Sequence, residues 1–276
     1  MVDCHIHMLL DGIDWKEAMY RHRPCKDMTW IRRTLTQYAE KGYTYLRDGG
    51  DDFGVSALAR DMARGMGIVY KTPLAPLSKK GHYGGFIGLQ WETMRKFAAL
   101  LFLQKRQGAD FCKLMVSGLM DFDQYGRLTE EPLTREEIRE LIHIAKEEGL
   151  PVMVHCNGAQ AIIHCAEAGA DSIEHGAYPN DEALAAMKEC GTVWCPTLST
   201  IGNLRGKGRF AEKAVCAIFE EMSEKVRQFS QMGGLVALGS DAGAWAVPHG
   251  CGTEREYLEA QGVDWKTGSE VIMKRF

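Results

Sequence analysis

The chain has 276 residues, 45% of them hydrophobic and 25% charged, enough to bury one large core in a single domain spanning 1–276. A formal net charge of -4 with scattered Lys and Arg argues against a nucleic-acid partner, and no run nears the roughly 20 apolar residues of a membrane span. Nine cysteines without a CxxC pair argue against a disulfide framework or a structural zinc cluster, and the expected address is the cytoplasm, with no membrane partner.

Short β-prone runs that end in polar residues recur along the chain, each followed by an amphipathic stretch. The runs fall at 2–7, 43–47 (YTYLR), 68–73 (IVYKTP), 110–116 (DFCKLMV), 151–155 (PVMVH), 171–174 (DSIE), 192–196 (TVWCP) and 235–240 (LVALGS). Helices are expected over 54–67, 91–107, 134–148, 157–168, 180–190 and 211–232. Thr134 followed by Glu137 has the spacing of a capping box, and Gly149 with Pro151 closes that helix. Eight βα units in one chain of this length predict an α/β fold, a (β/α)8 TIM barrel. A doubly wound open sheet is the alternative, but no GxGxxG follows the first strand.

The opening VDCHIHMLLDG places His5 and His7 two residues apart in a strand, so both imidazoles face one side and could share a metal ion. His155, His175 and Asp241 each close or follow another expected strand, and in a barrel those ends meet on the rim that carries the site. Imidazoles with a carboxylate suit zinc, manganese or a similar divalent ion. Lys113 in ADFCKLMVSG is the odd member: burial near positive charge lowers a lysine pKa, and a neutral amine can take up carbon dioxide to become a bridging carboxylate. The bland alternative is a lysine snorkelling from the sheet edge. Cys4, Cys112 and Cys156 each neighbour one of these residues, so alternation turns them toward the helices as core packing.

Taken together, these residues resemble the amidohydrolase superfamily, whose signature is HxH on the first strand, a carboxylated Lys on the fourth, His on the fifth and sixth, and Asp on the eighth. KGYTYLRDGGD, KKGHYGG, FCKLMVSG, AGADSIEHG, CPTLS and ALGSDAG resemble its prolidase and Xaa-Pro dipeptidase-like branch. The resemblance implies two divalent ions, zinc or manganese among the candidates. His5, His7, Lys113 and Asp241 would hold one; carboxylated Lys113, His155 and His175 would hold the other, with a hydroxide bridging them. It also implies Asp241 as the catalytic proton carrier. Deaminases of the superfamily place a Glu three residues after the His of the fifth strand, where this chain has Gly158.

The expected activity is cleavage of an amide-type C–N bond in a small molecule, a dipeptide or N-acyl amino acid. Lactone or cyclic amide hydrolysis, deamination, and a non-enzymatic metal-binding regulatory barrel are the alternatives. His82, Tyr83, Tyr178 and His249 are candidate substrate contacts, from the loops at the rim. Arg47 and Asp48 are expected to pair with each other or with loop backbone, and His22, His143 and His164 to carry no chemistry. Family members usually carry a small β-sandwich, for which this sequence shows no strands; the charged residues of DWKEAMYRHRPCKD lead to the expectation of a natural short form rather than a fragment. A bare barrel end could be covered by a second copy, making a homo-oligomer.

Overall fold

Residues 1–276 are described by a computed structural model. Most strands are runs with both faces buried, as parallel sheets covered by helices require. The strands are β1 (Val2–Ile6), β2 (Tyr45–Asp48), β3 (Val69–Lys71), β4 (Leu77–Lys79), β5 (Leu89–Trp91), β6 (Cys112–Met115), β7 (Val152–Cys156), β8 (Ser172–His175) and β9 (Val193–Cys195). Of these, β3 and β5 each keep an exposed residue. All ladders are parallel and fall into two sheets, β1-β2-β3 and β5-β4-β6-β7-β8-β9.

Two seams join the sheets. At one, an extended segment makes single bridges from Trp194 to Val236 and from Ile6 to Ala242, and Cys4 N donates to Leu238 O at 2.8 Å. At the other, Asp110 N donates to Thr72 O at 2.9 Å, linking the end of β3 to the start of β6. The circuit β1, β2, β3, β6, β7, β8, β9 and the segment around 236–242 makes the fold a (β/α)8 barrel.

Two differences from the expected strands have local causes. The run at 235–240 forms no regular ladder, because Gly239 passes so close to its neighbours that a Cβ there would lie 2.2 Å from Cys195 Sγ and 2.9 Å from His5 Cβ. After β3, Pro73 and Pro76 remove the donors a central strand needs. The chain steps outward and adds β4 and β5, with β4 pairing to β6 at Leu77–Leu114.

The six expected helices form at Val55–Ala63, Met94–Arg106, Arg135–Glu147, Ala159–Glu167, Asp181–Glu189 and Glu212–Gln231. Both bonds of the Thr134 and Glu137 capping box are present. Helices at Trp15–Arg21, Met28–Glu40, Ser199–Gly202, Thr253–Ala260 and Lys266–Arg275 complete the set. The first two carry a readable start signal, since Asp14 and Asp27 accept from the exposed amides of the first turn. No helix is long and apolar enough to cross a membrane.

The outward faces of the strands, with Leu114, Val152, Val154 and Ile173, pack against Ile138, Leu141, Ile142 and Ile162 in the main core. Each such side chain contributes about 1.5–3 kcal/mol relative to an exposed one. Cys112 and Cys156 lie in this core, as alternation requires, and Cys4 lies in a smaller cluster with Ile272 of the C-terminal helix. That smaller cluster, with Tyr45, Phe111, Met153, Val193, Ala237 and Phe276, fills the barrel near the strand starts.

Candidate metal centre

Strand alternation sends His5 and His7 inward together, and the segment after Gly239 returns Asp241 to meet them. Their Nε2 atoms are 3.4 Å apart, and Asp241 Oδ1 lies 3.5 Å from His5 Nε2 and 3.3 Å from His7 Nε2. Two nitrogens at about 2.0–2.1 Å from a tetrahedral zinc stand roughly 3.3–3.4 Å apart, so these separations suit ligands of one ion. The backbone locks the arrangement: His5 O accepts from Asp241 N, and His7 N donates to Ala242 O, both at 2.7 Å. Gly49 leaves room for His7, since a Cβ there would sit 2.3 Å from Cε1.

The remaining imidazoles are oriented by what their other nitrogens touch. His155 Nε2 lies 3.2 Å from the Gly118 carbonyl, which can only accept, so Nε2 carries the proton and Nδ1 keeps its lone pair. His175 Nδ1 is 2.7 Å from Thr197 Oγ1, which leaves Nε2 available. His5 Nδ1 is 2.8 Å from Glu174 Oε2, an ion-pair distance without hydrogen-bond alignment, and the carboxylate favours a proton on Nδ1 and leaves Nε2 toward the centre. The rings of His155 and His175 are 4.6 Å apart and those of His5 and His175 5.4 Å. Ligand atoms of His5, His175 and Asp241 all fall within 4.8 Å of one another.

Burial dominates the electrostatics. It draws all four imidazoles down, His7 and His155 to about 3, with the Lys113 charge adding to the effect. They are therefore neutral, the form that ligates metal. Burial lowers Lys113 to about 8 against the opposing pull of Glu174, and raises Asp241 against the pull of Lys113. Lys113 Nζ and Asp241 Oδ1 are buried with no hydrogen-bond partner. Orphaned polar atoms in a dry site are expensive, and a divalent cation would satisfy them while restoring the carboxylate charge. Neutral imidazoles, one carboxylate and an unpartnered amine fit such an ion. His175, Thr197 and Asp241 all hold positive φ, at 66°, 50° and 56°, conformations that non-glycine residues keep only where the surroundings enforce them.

A cavity of about 610 Å3 opens above these residues, lined by His7, His175 and Asp241 at its base and by largely apolar side chains above. Tyr83 lines it, with its ring 4.9 Å from that of His155, and its amide donates to Glu130. His82 lies outside the lining, its Nδ1 3.7 Å from the Glu130 carboxylate. Tyr178 packs edge-on against Tyr125, also outside it. His249 is further away: its Nε2 is 2.8 Å from Leu10 O and its Nδ1 3.0 Å from the Tyr38 hydroxyl, so both nitrogens are engaged in bracing the loop after β1 against helix Met28–Glu40.

Arg47 and Asp48 do not pair with each other, because successive strand residues face opposite ways. Arg47 points into the barrel, donating to Cys4 O at 2.6 Å, Ser172 Oγ at 2.9 Å and Glu174 Oε1 at 2.8 Å. Asp48 accepts from Met8 N, Gly50 N and the Tyr70 hydroxyl. Glu174 was not anticipated as a site residue, although an acid just before a strand-ending histidine was a visible signal. Asn157, which joins Gly118 O to Ala177 N, had no such signal.

Ochratoxinase of Aspergillus niger is 24% identical to the chain over 228 residues, which are 72% of this chain and 47% of that protein. An uncharacterised protein of Mycobacterium tuberculosis is 30% identical over 178 residues, 62% of this chain and 46% of that one. The chain thus spans about half the length of the curated relatives it matches. Among solved structures, an Xaa-Pro dipeptidase with methionine bound in its active site superposes with a TM-score of 0.75 at 24% identity, over 100% of this chain and 72% of the other. The A. niger ochratoxinase crystal structure also gives 0.75, at 21% identity, over 99% and 68%. These structural likenesses speak for the fold. The amidohydrolase family matches residues 1–260, nearly the whole sequence, and the chain belongs to that family.

Proposed function

We propose that the chain is a metal-dependent hydrolase that cleaves an amide-type C–N bond in a dipeptide or an N-acyl amino acid. The observation that carries the reading is Lys113, whose amine is buried without a partner beside neutral histidines and the Asp241 carboxylate. A lysine whose pKa is drawn down to about 8 has an appreciable neutral fraction near neutral pH. Its Nζ lone pair forms a bond to the carbon of carbon dioxide, one proton leaves, and a carbamate results. The lysine then presents two oxygens instead of a repelling ammonium.

In this reading His5, His7, Asp241 and carboxylated Lys113 would hold one divalent ion, and Lys113, His155 and His175 would hold a second, zinc or manganese. When bound, such a pair lowers the pKa of water and polarises the substrate carbonyl. Asp241 accepts the proton of the attacking water on its carboxylate and returns it to the leaving amine nitrogen. Glu174 and Thr197 keep the imidazoles of His5 and His175 aimed. Tyr83 stands over His155 on the substrate side of the centre. Gly158 favours hydrolysis over deamination, because it carries no proton shuttle and its φ of 91° disfavours any side chain there.

The test is metal content on protein made with bicarbonate and added zinc, for wild type and Lys113→Ala, followed by hydrolysis assays on dipeptides and N-acyl amino acids. The expected result is near two metals per chain, falling in the variant, with turnover only in the loaded wild type. One metal per chain, unchanged by the substitution, would overturn the two-ion arrangement. Loaded protein that cleaves no amide would overturn the hydrolase reading.

A further inference from the structure

We infer that the cavity selects substrates joining a large planar apolar group to a carboxylate, and that Arg209, stacked on Trp245, receives the carboxylate. The inference rests on the hydrolase reading above and names its substrate class.

The apolar part follows from the cavity wall. Trp15 meets Phe86 at 5.4 Å and Phe86 meets Tyr83 at 5.9 Å, forming one aromatic group. Phe122, Phe210 and Trp245 form a second, with centroid separations of 5.2 and 6.2 Å. All six rings line the cavity, whose volume of about 610 Å3 is that of a pocket for a sizeable organic molecule. Ile13 and Trp15 line it too and are 74% and 42% exposed, so apolar surface is left facing water at the mouth. A flat apolar group would cover that surface and meet rings on entry. A methyl or proline-sized group would leave most of it wet.

The carboxylate part follows from charge. Arg209 is the one Lys or Arg in the lining. Its guanidinium carbon is 4.4 Å from the Trp245 ring centre and 5.4 Å from that of Phe210. The side chain is exposed and no carboxylate or carbonyl of the protein pairs with it, so its donor fork, beside the rings, is free to take a carboxylate with two parallel bonds. Asp121 and Asp123 also line the cavity, and one oxygen of each holds loop backbone. Asp121 Oδ1 accepts from Asp123 N and Gln124 N at 3.0 and 3.1 Å, and Asp123 Oδ1 accepts from Ala211 N at 2.8 Å.

The experiment separates binding from turnover. N-benzyl-phenylalanine and N-ethylglycine lack the scissile carbonyl, and calorimetry on zinc-loaded protein reads their affinities directly. The expected result is at least tenfold tighter binding of the benzyl compound, and a tenfold loss when its carboxylate is replaced by a carboxamide. Arg209→Met should abolish that carboxylate preference and Arg209→Lys should restore part of it, while Trp245→Ala should weaken the benzyl compound alone. Equal binding of the two amines overturns the apolar assignment. A carboxylate preference that survives in Arg209→Met overturns the assignment of Arg209 and points to the metals as the anion site. If selective binding is seen but N-benzoyl-phenylalanine is not hydrolysed, the hydrolase reading fails and the selectivity stands. If N-acetylglycine is hydrolysed as efficiently as N-benzoyl-phenylalanine, the selectivity fails and the hydrolase reading stands.

Discussion

The two ends of the barrel are built from the same strands and treat buried charge in opposite ways. Near the strand starts, Tyr45, Phe111, Met153, Val193 and Ala237 close the interior with Phe276, and the one charge pointing into this layer, Arg47, is satisfied. It has three hydrogen-bonded partners and stacks 4.4 Å from the Phe276 ring. One layer higher, toward the strand ends, Lys113 Nζ and Asp241 Oδ1 have no partners. The Tyr45 hydroxyl of the floor also lacks a partner, but only the upper layer leaves an amine and a carboxylate oxygen unpaired, which makes it the end arranged for a ligand. Glu174 joins the two layers, touching Arg47 with one oxygen and His5 with the other.

That contrast can be broken from either side. The largest expected effect is at the open end: Asp241→Asn keeps the shape but cannot carry a proton, and should lower kcat by about 10²–10⁴-fold. Because the variant also loses an anionic metal ligand, its zinc content should fall at limiting zinc and kcat is read with excess zinc present; an unchanged kcat there would remove Asp241 from the proton path. At the closed end, Phe111→Ala opens a cavity beside Phe276 and should destabilise the fold by about 3–5 kcal/mol in urea unfolding. Its kcat at a temperature where it is folded should match wild type, and a parallel loss of activity would mean that the layers are not separable.

Glu174→Gln probes the link. It should weaken zinc binding about 10–100-fold in chelator competition, because His5 loses the charge that orients it. Far-ultraviolet circular dichroism of the metal-free protein should be unchanged; equal zinc affinity in the two proteins would make Glu174 a partner of Arg47 alone. The smallest effect belongs to His249→Phe, which leaves the Tyr38 hydroxyl and Leu10 O without their partner and should lower stability by about 1–3 kcal/mol. Because His249 lies outside the cavity, KM should not move, and a raised KM would return it to the substrate contacts.

Much of this was legible in residue spacing. The HxH pair, the histidines closing β7 and β8, and the Thr134 capping box are local patterns, set by the two-residue period of a strand or the first turn of a helix. The helices at Trp15–Arg21 and Met28–Glu40 carried Asp caps that a reading focused on βα units passed over. For Arg47 and Asp48 the mutual pair fails against the alternation that separates them, while the loop-backbone alternative holds for Asp48, which accepts from Met8 N and Gly50 N. His249 sits just beyond Asp241 in sequence, yet the loop turns it back onto Tyr38.

By itself, then, the sequence determined the order of the barrel strands and of six helices, the inward set of His5, His7, Lys113 and His155, and the outward turn of Cys112 and Cys156. Each of these depends on periodicity within a few residues, whereas His175 follows inward-facing Glu174 and reaches the centre only through its left-handed backbone. Only the tertiary structure decided that Glu174 bridges His5 to Arg47, that Phe276 returns to the barrel floor, and that Trp15, Phe86, Phe122, Arg209 and Trp245 share one cavity. Those juxtapositions depend on how the strands register around the barrel and where long loops fold back, and neither is written in any local spacing.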